Sequence, residues 1–102
     1  MAGFVKIAHC DEVSEGKAKT VEVDGTLIAL FKSDGRFYAI ANACLHLGAP
    51  LGDGEVYGTR VVCPLHGWEY DFTTGCNVDD PSMKLRCYEV QVAGDDILIE
   101  VP

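Results

Sequence analysis

The residues best equipped for chemistry fall in two short stretches. Cys44-Leu45-His46 offers one thiolate and one imidazole, and after sixteen intervening residues Cys63-Pro64-Leu65-His66 offers a second such pair. Turn-forming residues crowd around them: Gly48, Pro50, Gly52 and Gly54 follow the first stretch and Gly67 the second. Cys and His at spacings this short are the donor set of a metal site. Three readings fit the residue types. The Cys could be small buried residues and the His satisfied polar groups, since free Cys packs well. The four could form a structural zinc tetrahedron, although zinc sites commonly segregate a Cys pair from a His pair and here each stretch carries one of each. The third reading is an iron–sulfur cluster with mixed ligation.

Elements able to hold two such loops face to face read as β-structure. Phe4–Ala8 alternates as a short strand. Val21–Val23 runs into Asp24-Gly25, a type I′ hairpin signal, and Leu27–Phe31 follows as a buried strand. Ser33-Asp34-Gly35 turns the chain into Phe37–Ile40. From Asn42 the composition changes to loop chemistry, interrupted by short strands at Arg60–Val62 and Glu69–Phe72. Thr74-Gly75 is a turn, and Asn77–Ser82 is an acidic loop closed by Pro81. Leu85–Val92 then alternates as one strand, Gly94-Asp95 turns, and Ile97–Val101 is the last strand. No stretch sustains a helical period. The expected fold is all-β, an antiparallel β-sandwich with a loop-rich segment at about residues 42–82 inserted between early and late strands.

Composition narrows the function classes. The 102 residues point to a single domain, 1–102, and 48% apolar content to one modest core, not two. A separate catalytic domain is not expected. Sixteen acidic against eight basic residues give a formal charge of −8, which argues against a nucleic-acid partner and suits steering toward a basic protein surface. No signal peptide opens the chain, and no window approaches the roughly 18 apolar residues of a membrane span. No membrane partner and a cytoplasmic location are therefore expected. Five Cys cannot all pair internally, and in a reducing compartment clustered Cys mean metal or reactivity before disulfides.

Beyond the four donors, the run Cys63-Pro64-Leu65-His66-Gly67-Trp68, followed by Tyr70-Asp71, Gly75 and Pro81, resembles the Rieske [2Fe-2S] family. The strand order on both sides agrees, so the resemblance covers essentially the whole chain. It implies a Rieske-like fold whose 42–82 segment is a cluster-binding subdomain. It implies one [2Fe-2S] cluster, with one iron held by Cys44 and Cys63 and the outer iron by His46 and His66. High-potential relatives carry an additional Cys in each ligand loop, bridged to each other. Leu47 or Ala49 and Leu65 occupy those places here, so that bridge is ruled out. Trp68 stands where those relatives place a Ser hydroxyl against a sulfide. Tyr70 matches a Tyr that hydrogen-bonds a Cys sulfur, or else it is a cross-strand packing residue. Leu45, Leu47 and Leu65 would shield the cluster from water. A low potential within the class follows.

The remaining residues fill lesser roles. Cys10, Cys76 and Cys87 are scattered and read as ordinary thiols, with Cys76 close enough to the site to be oxidation-sensitive. Asp53, Glu55, Asp79 and Asp80 are either solvated loop residues or contacts for a basic partner. The resemblance implies a soluble electron carrier rather than an enzyme: a Rieske-type ferredoxin of a bacterial ring-hydroxylating dioxygenase system. Such a protein takes electrons from a flavoprotein NAD(P)H reductase and passes them to a terminal oxygenase in aromatic hydrocarbon catabolism. The alternative is the small Rieske-like subunit of an assimilatory NAD(P)H nitrite reductase.

Overall fold

The structure, a computed structural model, describes residues 3–23, 25–42, 50–64 and 67–101. Ten strands follow in order: β1 (Gly3–His9), β2 (Ala18–Val23), β3 (Thr26–Ser33), β4 (Arg36–Ala41), β5 (Glu55–Tyr57), β6 (Arg60–Val62), β7 (Glu69–Asp71), β8 (Cys87–Tyr88), β9 (Val90–Ala93) and β10 (Asp96–Val101). Single 3₁₀ turns occupy Cys10–Glu12 and Leu51–Asp53. The strands form three antiparallel sheets, ordered β1-β10-β9, β2-β3-β4-β8 and β5-β6-β7. No helix among the described residues is long and apolar enough to cross a membrane.

The centre of the fold is β3. Its Ile28-Ala29-Leu30-Phe31 run is fully buried, because a strand sends successive side chains to opposite faces and both faces are covered. Ile28 and Leu30 pack on Ala8, Val21, Ile97 and Ile99, whereas Ala29 and Phe31 pack on Leu51, Val61, Tyr70 and Phe72. The single core expected from the apolar content is thus corrected to two. One shared sheet serves both layers, which lets a small apolar complement fill two of them. Phe72 joins the loop-rich segment to the central sheet, stacking on Phe31 with ring centroids 4.5 Å apart and meeting Tyr38 at 5.4 Å. Leu27, expected to be buried with the rest of β3, is half exposed near the start of the strand.

Two further differences from the sequence reading have simple causes. Leu85–Val92 is not one strand. It breaks at Glu89, with β8 pairing to β4 (Ile40↔Cys87) and β9 to β10 (Ile97↔Val92). Period-2 alternation persists while the chain changes sheets, so it carries no sign of the corner. β5 lies in a stretch whose glycines read as loop, and it exists because β6 offers it a partner in register, Val56↔Val61. The β3–β4 turn behaves as read. Asp34 and Gly35 both have positive φ (54° and 75°), and the Glu15 carboxylate accepts both their N–H groups. Asp24, in the β2–β3 turn, lies outside the described residues.

Candidate metal centre

Cys63 directly follows β6, in a six-residue loop that joins β6 to β7. Main-chain bonds close the loop: Cys63 N–H donates to the Trp68 carbonyl at 2.7 Å, and Gly67 N–H donates to the Cys63 carbonyl at 3.1 Å. Gly67 has φ +71°, a region that favours glycine, which accounts for the Gly after the second His of the motif. Below the loop the β6–β7 ladder fixes its base through Val62↔Glu69 and Val61↔Tyr70. Cys63 is 1% exposed and packs with Val61, Tyr70, Phe72 and Leu51. Pro64 beside it is exposed. Of the four predicted ligands, Cys63 is the one the structure describes; Cys44, His46 and His66 lie outside the described residues, as do the shielding candidates Leu45, Leu47 and Leu65.

The segment carrying Cys44 and His46 is anchored at both ends. Asn42, 3% exposed, closes β4, and its carbonyl accepts Leu51 N–H at 2.7 Å on the far side of the segment. Its side-chain Oδ1 accepts Gly52 N–H at 2.8 Å and the Thr20 hydroxyl at 3.2 Å. A third loop is organised by Asn77, 5% exposed, which caps the turn by accepting Asp79 N–H and Asp80 N–H at 2.9 and 3.0 Å. Asp80 in turn accepts the Ser82 N–H and hydroxyl, so the acidic loop before and after Pro81 has a fixed course. Neither Asn was singled out from sequence, because an Asn at the edge of a loop-rich stretch reads as turn chemistry whether or not it is buried.

The four acidic residues line two surface depressions. Exposed Asp53 and Glu55 line a surface depression with Cys63, Pro64 and Gly67, while Asp79 and Asp80 line another with Trp68, Asn77 and Met83. The Tyr57 hydroxyl donates to the Glu55 carboxylate, and that bond holds the phenol above its ordinary pKa. Tyr70 is fully buried, directly opposite Val61 and packed in the same cluster as Cys63, Leu51 and Phe72. Cys10, Cys63, Cys76 and Cys87 are free thiols. Partial desolvation pushes the thiol of Cys87 above its ordinary pKa.

The described residues fit an iron–sulfur group. A thiolate that ligates inner iron needs a dry, fixed position, and buried Cys63 in a closed hairpin loop has both. Main-chain closure leaves the Cys63 side chain free to ligate. Exposure beside it at Pro64 and Gly67 leaves that end of the loop open to solvent.

A Rieske [2Fe-2S] domain model matches residues 3–89, and the chain belongs to that family. Among its relatives is the ferredoxin component of the naphthalene 1,2-dioxygenase/salicylate 5-hydroxylase systems of a Ralstonia species, 31% identical over 96% of this chain and 95% of that protein. The fold also matches the ferredoxin in a complex of reduced oxygenase and oxidized ferredoxin of carbazole 1,9a-dioxygenase. That match has TM-score 0.86 and 26% identity, covering 94% of this chain and 91% of that one. A putative NADH-dependent nitrite reductase small subunit from Mycobacterium tuberculosis matches with TM-score 0.90, covering 100% of this chain and 97% of that one at 23% identity.

Proposed function

We propose that this protein is a cytoplasmic one-electron carrier, the ferredoxin of an aromatic-ring-hydroxylating oxygenase system. The observation that carries the reading is the end-to-end likeness to a dioxygenase ferredoxin component in a chain that has all four Cys and His donors. In this reading residues 1–102 are one Rieske domain with its cluster-binding subdomain at about 42–82. Cys44 and Cys63 hold one iron through thiolates, and His46 and His66 hold the other through imidazoles. A bound Rieske cluster supplies reversible one-electron chemistry, in a class whose potentials span roughly −150 to +300 mV.

The chain's own residues do the rest. Buried Cys63 and its closed loop give the inner ligand a fixed position away from water. In this reading His46 and His66, as ligands of the outer iron, serve the route by which one electron enters from a flavoprotein NAD(P)H reductase and leaves to a terminal oxygenase. Asp53, Glu55, Asp79 and Asp80 favour partners with a basic docking face. Leu65 in place of a loop Cys, and Trp68 in place of a Ser hydroxyl, set the potential toward the reducing end. The nitrite reductase likeness, at 23% identity, carries the fold alone.

Purification with iron and acid-labile sulfide analysis, followed by EPR of the reduced protein, tests the assignment. About two irons and two sulfides per chain with a Rieske-type signal is expected. Colourless protein without sulfide, or a signal of all-Cys ligation, refutes it. Reduction by NADH through a flavoprotein reductase, with reoxidation by a ring-hydroxylating oxygenase, tests the partners.

A further inference from the structure

We propose that Asn42 is the positioning residue of the first ligand stretch: its two carbonyl groups tie together the ends of the 43–50 segment and so set the placement of Cys44 and His46. The proposal rests on the Rieske reading above and assigns the part of the chain that holds half of the ligand set. Four bonds meet at this residue. Its N–H donates to the Leu27 carbonyl at 3.2 Å, and its carbonyl accepts Leu51 N–H at 2.7 Å. Its Oδ1 accepts Gly52 N–H at 2.8 Å and the Thr20 hydroxyl at 3.2 Å.

The identity of the side chain follows from its partners. A backbone N–H can only donate, so the atom facing Gly52 must be an acceptor at the end of a two-carbon reach, which Asn and Asp provide and Ala, Ser or Leu do not. The partner must be glycine as well. A Cβ at Gly52 would lie 2.0 Å from Thr20 Oγ1 and 2.7 Å from Thr20 N, so a side chain there would push the Leu51–Asp53 turn off β2. Leu51, fully buried among Ala29, Phe31 and Val61, fixes the same end in the core. Thr20, Asn42 and Gly52 therefore form one clamp across the base of an eight-residue segment. The ends are immobilised before any iron arrives, and the ordering cost is removed from the binding step.

The test compares the reconstituted holoprotein with N42A, N42D and T20V, reading reduced-state EPR g-values, nitrogen couplings of the His ligands and the rate of cluster bleaching by a chelator. N42A should shift the g-values and couplings and bleach roughly tenfold faster, the factor of one lost buried hydrogen bond. N42D keeps an oxygen acceptor in place and T20V keeps the Gly52 bond, so both should retain wild-type g-values and bleach within about twofold of wild type. A merely structural Asn42 would lower the melting temperature while leaving g-values and bleaching rate untouched in N42A, and that result overturns the proposal. Altered g-values in N42D overturn it as well, including when N42A yields no folded protein. Wild-type protein without a Rieske signal would instead defeat the underlying cluster assignment, so the two failures are distinct.

Discussion

Gly75 offers the sharpest test of how the loop-rich segment is fastened to the strands that follow it. It has φ +82°, and a Cβ built there would lie 2.3 Å from the Leu85 carbonyl oxygen and 2.9 Å from Cys87 Sγ. Two costs therefore meet at this position. An L-residue in the left-handed region costs roughly 1–2 kcal/mol. Forcing backbone atoms apart adds roughly 1–3 kcal/mol as overpacking. The atom in the way is a main-chain oxygen of buried Leu85, whose N–H donates to the Gly75 carbonyl at 2.8 Å, so it cannot swing aside without losing that bond. Gly75→Ala should thus cost about 2–5 kcal/mol, a large share of the stability of a domain this size. Gly58 is the control, with φ +60° and nothing within 4 Å of its Cβ position. Asn tolerates the left-handed region, so Gly58→Asn should be nearly neutral while Gly75→Asn stays costly. Urea unfolding of both variants, followed by far-UV circular dichroism, gives the difference directly. Equal effects for the two Asn variants, within about 0.5 kcal/mol, would show that the close approach at Leu85 does not matter.

Two other outcomes follow from the site and its surroundings. Replacing His46 by Cys should keep a cluster while lowering its midpoint potential, since a thiolate adds negative charge where a neutral imidazole stood; a midpoint unchanged in voltammetry counts against the ligand assignment. At the β3–β4 turn, the Glu15 carboxylate lies below its ordinary pKa because it accepts the N–H groups of Gly35 and Asp34. The contribution is then present above the ordinary carboxylate value and lost as pH falls through the depressed one. Acid titration by NMR should move the Asp34 and Gly35 amide resonances with Glu15 in the wild type and abolish that coupling in Glu15→Gln; pH-independent amides would refute the link.

Much of the framework was legible because its strands are written in Val, Ile and Phe at period 2 between strong turns. β1, β3, β4, β6, β7 and β10 fall where that pattern places them. Illegible features are those in which one pattern serves two structures. Leu85–Val92 alternates on both sides of Glu89, yet its halves belong to different sheets. β3 reads as one buried strand, yet it supplies both cores. The hairpin loop of Cys63 was legible from its Cys, Pro and Gly, because such residues have few other uses together. Asn42 and Asn77 were not, because their function depends on burial that only the tertiary fold confers. The ligand assignments of Cys44, His46, Cys63 and His66 all remain with the proposal.

The ladder between β1 and β10 begins at Gly3↔Val101 and continues through Phe4↔Glu100, so the two extremities of the described chain run side by side. A polypeptide whose ends are neighbours can be reconnected through a short linker and reopened elsewhere without dismantling its sheets. The exposed β5–β6 turn at Gly58, in open space on the surface, is a natural place to reopen it. The same adjacency suits the domain to being spliced into a loop of a host protein, whose entry and exit points would stay together. Circular permutants and in-line insertions of this domain are therefore geometrically open.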